Sequence, residues 1–108
     1  MPVVEVRVIE EGGRMLTFVC PGCCYNHGIF IERTQRPVWT WNGDVEKPTI
    51  APSILSKTGP WPDSHATKAG KIDVCHFYVL DGNIEFLGDC THGLAGQAVP
   101  LPQMENDP

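Results

Sequence analysis

Cys75-His76-Phe77-Tyr78-Val79-Leu80-Asp81-Gly82-Asn83-Ile84-Glu85-Phe86 is the stretch that decides the fold. Asp-Gly between two alternating runs signals a two-residue hairpin turn, because both residue types tolerate positive φ. A turn at Asp81-Gly82 pairs Val79 with Ile84 and Phe77 with Phe86, which gives the hairpin one apolar face. Period-two alternation carries Cys75 onto that face, with Cys90 as a diagonal neighbour at the open end. His76, Tyr78, Glu85 and Leu87 fall on the opposite face. One metal ion therefore does not take both Cys75 and His76 unless the strand bulges.

The same period recurs upstream. Val3 to Ile9 alternates, with Val4, Val6 and Val8 on one side and Glu5 and Arg7 on the other. After Glu11-Gly12-Gly13, Arg14 to Cys20 places Leu16, Phe18 and Cys20 on one face. Gly28 to Glu32 and Trp39 to Trp41 are short strands, the latter stopped by Asn42-Gly43. Thr49 to Ser56 is rich in β-branched residues, but Pro48 and Pro52 restrict it to an edge strand or an extended segment. Residues 57–71 lack periodicity and read as a surface loop. Thr91 to Gln97 is predicted to form a short helix, with Thr91 as its N-cap. Residues 103–108 are a loose tail. The expected fold is mostly β: one small antiparallel domain over residues 1–108, sandwich or barrel-like, with a zinc knuckle and one short helix near the C-terminus.

The composition narrows the function. Of 108 residues, 13 are acidic and 8 basic, for a net charge of −5. No Lys or Arg run exists, which argues against nucleic acid as a partner. No stretch reaches the ~18 apolar residues of a membrane span, and Met1 to Glu5 is not a signal peptide, so a cytoplasmic protein is expected. Five cysteines cannot all pair as disulfides within one chain.

Cys20-Pro21-Gly22-Cys23 can fold as a knuckle that aims two sulfurs at one point. With Cys75 and Cys90 at the hairpin base, four thiols make a closed tetrahedral zinc site, structural rather than catalytic. Diagonal Cα atoms lie roughly 7–8 Å apart, within reach of two thiolates that share one ion. His27, His76 or His92 can substitute for one thiolate, and that exchange is what would open a coordination position. Asp89 beside His92 is a candidate general-base arrangement, although a turn that enters a helix explains the same letters. Cys24 reads as a free thiol and His65 as a loop residue. Trp39, Trp41 and Trp61 read as core or interface packing.

The chain resembles a family of small bacteriophage and prophage proteins that often carry the label "ammonia monooxygenase". The resemblance rests on Phe18 to Cys23 with His27, Trp41-Asn42-Gly43 and Lys47 to Ile54. It continues through Cys75-His76-Phe77 and Asp89 to Gln97, and on to Val99 to Pro102. It implies phage origin and zinc binding. The label itself does not suit a chain with no membrane segment and no histidine-rich copper set. The expected function is then a zinc-stabilised module that acts by contact, a head or tail component of the virion rather than an enzyme. Its expected partners are other virion proteins, a host protein or further copies of itself, and it would reside in the host cytoplasm or the particle. One alternative is a host-directed factor that binds a defence or regulatory protein. Another is a small zinc metallohydrolase that uses His27, His76 or His92.

Overall fold

The hairpin forms in the predicted register. β6 (Asp73–Leu80) and β7 (Asn83–Phe86) pair antiparallel, with Val79 opposite Ile84 and Phe77 opposite Phe86. The turn residues Asp81 and Gly82 both adopt positive φ, 49° and 83°, as a twisted two-residue hairpin requires. All four paired residues on the apolar face are buried.

Two antiparallel sheets make up the domain in this computed structural model, which describes residues 2–10, 12–23, 26–64, 66–67 and 69–104. The first sheet has the order β1-β2-β3, from β1 (Glu5–Ile9), β2 (Gly13–Val19) and β3 (Asn26–Glu32). The second has the order β4-β5-β6-β7-β8, which adds β4 (Thr40–Trp41), β5 (Ile50–Thr58) and β8 (Ala98–Pro100) to the hairpin. Leu16, Phe18 and Ile29 from the first sheet share one core with Ile50, Ile54, Phe77, Val79, Ile84 and Phe86 from the second. Phe18 meets Phe77 edge-on at 5.9 Å, the arrangement aromatic quadrupoles favour. The domain is mostly β, as expected.

Four local expectations need correction. β5 is interior only at Ile50 and Ala51, where β4 pairs with it; from Pro52 onward it pairs, among the described residues, with β6 alone and is an edge, as expected. It tolerates Pro52 because the register against β6 shifts between Ile50 and Ile54, so Pro52 sits in an irregular step of the ladder. Lys57 and Thr58 also belong to β5 rather than to the following loop, and that loop is tied by Trp61 Nε1 donating to Asp73 (3.1 Å). Residues 91–97 form turns, not a helix, with only isolated bonds such as Gln97 N–H to Leu94 O at 3.0 Å. Val8 is 83% exposed although Val4 is buried, because β1 runs past the edge of the core. Trp39 and Trp41 do pack against the core, half-buried. The tail begins with Met104 N–H bonded to Pro2 O, and 105–108 lie outside the described residues, as do Cys24 and His65.

Candidate functional site

Two groups of reactive side chains are built on the same two segments, residues 74–76 of β6 and residues 87–92 after β7. β7 ends at Phe86, yet the chain stays stapled to β6. Leu87 N–H donates to His76 O (2.9 Å), Thr91 N–H to Val74 O (2.9 Å), and Val74 N–H to Thr91 Oγ1 (3.0 Å). Alternation along this stapled pair sends side chains to opposite faces.

On the inner side, Cys20, Cys23, Cys75 and His92 converge, with their ligand atoms all within 4.8 Å of one another, and this cluster could hold a metal ion. Cys20 Sγ lies 3.7 Å from Cys75 Sγ, and Cys75 Sγ lies 3.5 Å from His92 Nε2. The Pro21-Gly22 turn brings the Cys23 N–H to 3.4 Å from Cys20 Sγ, a hydrogen bond that steadies the knuckle. Gly22 is needed for close approach: a Cβ there would stand 2.4 Å from the His92 ring. The His92 ring packs edge-on against Phe86 at 4.4 Å. The Leu94 N–H meets its other nitrogen, Nδ1, at 3.2 Å. That contact suits the tautomer with its proton on Nε2, so a cation at Nε2 moves the proton to Nδ1 and costs this bond.

The electrostatics of the cluster follow from crowding thiols. The Cys75 thiol donates to Cys20, and His27 and the Cys23 amide also bond to it, so Cys20 is pushed down to about 3 despite its burial. The same bond to Cys20 pushes the Cys75 thiol up, aided by burial. Close thiols cannot all ionise without a cation among them.

Three of the four predicted cysteine ligands are thus brought together, and His92 joins them where Cys90 was expected. Cys90 is buried outside the cluster. Its Sγ accepts from His76 N–H (3.2 Å) and donates to His76 O (3.2 Å). The regular hairpin extrapolation fails here because the chain turns at Gly88-Asp89 after Phe86. His27 is buried, its ring 5.1 Å from Phe77, and it bonds to Cys20 from outside the cluster.

On the outer side, His76 Nδ1 lies 3.0 Å from Asp89 Oδ2. The two side chains are 26% and 56% exposed, so this pair faces solvent. Asp89 therefore serves His76 rather than His92, contrary to the sequence expectation. The sequence signal for this pairing was weak, because Asp89 reaches His76 only through the irregular turn after β7. Leu55 of β5 is the cross-strand partner of His76, and Ser53 lies two residues before it. Ser53 lies at the irregular step of β5, just before the regular pairing with β6 resumes at Ile54, and the residues alone gave no sign of it. Ser56 pairs with Cys75 and belongs to the inner side.

A family model described as "Bacterial ubiquitination-like system serine protease (BubE)" matches residues 3–87. The matched span contains Cys20, Cys23, Ser53, Cys75 and His76, while Asp89 and His92 follow it. No curated protein and no solved structure matches the chain. The family description overturns the expectation of a phage virion component and the expectation of no enzymatic activity. Those expectations rested on the resemblance to phage proteins and on a four-thiol site with no open position. The hydrolase alternative stands closer, although the family is named for a serine and not for a metal. Among the described residues, no helix is long and apolar enough to cross a membrane.

Proposed function

Because the chain belongs to the BubE family of bacterial ubiquitination-like system serine proteases, we propose that it hydrolyses an acyl bond in a protein of such a system, with Ser53 as nucleophile. The observation that carries this reading is the His76–Asp89 pair at 3.0 Å, with Ser53 two residues along β5 from Leu55, the cross-strand partner of His76. With Nδ1 held by the carboxylate, His76 Nε2 is left to take the serine proton, and Asp89 stabilises the imidazolium that forms. The Ser53 hydroxyl then attacks the carbonyl carbon. His76 returns the proton to the leaving group, and water releases the acyl group by the reverse path.

The other serines suit the role less well. The chain contains Ser53, Ser56 and Ser64. Ser56 pairs with Cys75 on the metal-facing side, and Ser64 lies in the loop after β5. Cys20 beside His27 offers a rival nucleophile, but it is fully buried and no substrate carbonyl reaches it. In this structure no hydrogen bond joins Ser53 to His76, and such bonds are commonly long in unliganded enzymes.

The inner cluster has a separate role in this reading: it binds Zn²⁺ as a structural ion. Zinc bond lengths of about 2.3 Å to sulfur and about 2.0–2.1 Å to imidazole set tetrahedral edges of about 3.8 Å and about 3.6 Å. The observed 3.7 Å and 3.5 Å match these edges. Three thiols and one imidazole complete four-fold coordination, so the ion closes the fold and leaves the chemistry to Ser53.

Ser53→Ala, assayed on peptide and ester substrates beside the unaltered chain, tests the proposal. Loss of turnover by at least about 10³-fold, with zinc content and melting unchanged, supports it. Full activity in Ser53→Ala refutes it.

A further inference from the structure

We infer that the trough between β3 and β5 binds the acyl-side segment of the substrate as an added β-strand, recognised through its main chain. This rests on the serine reading above and names the substrate class: an extended, unstructured peptide with acidic or neutral side chains.

β4 pairs with β5 only at Ala51 and Ile50. Beyond them, among the described residues, β5 has no strand partner on that side from Pro52 to Lys57. β3 pairs only with β2. Asn26 to Ile29 therefore also present an edge with no strand against it. These two edges line one open cavity of about 400 Å³, with Asn26 to Ile29 on one wall and Ile54 to Lys57 on the other. Free strand edges carry main-chain donors and acceptors at fixed spacing, and an extended peptide is the ligand that matches them. Four residues of β5 span about 13 Å, enough to align about four residues of substrate.

The position of the trough selects the substrate over other occupants. Trp39 also lines it, and its indole N–H donates to Ser53 O (3.2 Å), so the nucleophile lies where the trough starts. Leu55, half exposed on its wall, is the cross-strand partner of His76. A strand laid along this edge of β5 thus runs toward Ser53, with β5 alone between it and His76. Charge narrows the class further: Lys57 lines the trough and no carboxylate does, although the whole chain carries a net charge of −5. A basic peptide meets the acidic surface elsewhere, whereas an acidic one is drawn to this trough.

The test uses the full chain as Ser53→Ala, which cannot turn over, with a library of acetylated octapeptides in acidic, neutral and basic sets. Amide hydrogen exchange should show protection confined to 26–29 and 54–57 on adding the acidic set. Methylating individual peptide nitrogens should weaken binding about 3- to 10-fold at each nitrogen that donates to an edge. In the active chain, Lys57→Glu should invert the ratio of kcat/KM between acidic and basic members. Protection elsewhere, no protection at millimolar peptide, or indifference to N-methylation at every position would overturn the inference. A separate reading of the nucleophile keeps the two claims apart. If a small fluorophosphonate fails to label the unaltered chain while the trough is still protected, the serine assignment falls and the peptide site stands.

Discussion

The two sides of the strand pair at residues 74–76 and 89–92 differ in one decisive respect: one gathers four donor atoms, and the other holds a single histidine-carboxylate pair in solvent. Cys75 points inward to a cluster in which Cys20 and Cys75 are buried and Cys23 and His92 half-buried, and His76, the next residue, points outward to a carboxylate in solvent. Asp89 and His92 divide in the same way within four residues. On the proposed reading, four donors taken up by one ion leave no position for substrate, and the ion holds the segments together. An open histidine-carboxylate pair has a free nitrogen and access, so its contribution is chemistry. Strand alternation places the proposed structural site and the proposed reactive site back to back.

The comparison breaks most severely at the inner side. Replacing Cys20 and Cys75 together by Ser, or stripping metal with a strong chelator, should unfold the domain and abolish activity. Structural zinc supplies on the order of 10 kcal/mol or more in small domains, and a core of this size has no comparable reserve. Circular dichroism and metal content measured together check this. A chelated chain that melts unchanged would mean that the cluster is only a group of buried thiols.

The outer side should break alone. Asp89→Asn should lower kcat by about 10²- to 10⁴-fold, because the imidazole loses its orienting carboxylate. Melting temperature should shift little, since an exposed ion pair contributes about 0–1 kcal/mol. A large melting shift with unchanged kcat would make the pair structural and erase the contrast.

Intermediate effects sharpen the division. His27→Phe keeps a ring between Phe18 and Phe77 but removes the bond to Cys20. Zinc affinity should fall about 10- to 100-fold in competition with a chromogenic chelator.

The smallest effect lies away from both sides. Asp44 accepts from the Lys47 and Glu46 amides, which holds its carboxyl below the ordinary range. A lowered carboxyl stabilises the fold above its unfolded value, and that contribution is lost as pH falls through the folded value. Asp44→Asn should therefore melt slightly lower at neutral pH and converge with the unaltered chain in strong acid. Activity per folded molecule should not change.

These contrasts also show what could be read from the residues. The hairpin register, the inward run Leu16-Phe18-Cys20 and the knuckle with Cys75 were legible because each depends on local period-two geometry. The short pairing of β4 with Ile50 and Ala51 was not, since the residues suggested an edge along all of β5. The exchange of Cys90 for His92 and the pairing of Asp89 with His76 both arise in the turn after Phe86, where alternation stops. Ser53 was invisible for a related reason. Its relation to His76 depends on a register between strands whose pairing no sequence period announces.

Labelling the unaltered chain with a fluorophosphonate and locating the adduct by peptide mass spectrometry tests the central claim most directly. The account expects one adduct, on Ser53, whose rate of formation collapses in His76→Ala while zinc content is retained. An adduct on Ser56 or Ser64, or labelling of Ser53 that is indifferent to His76, would contradict it.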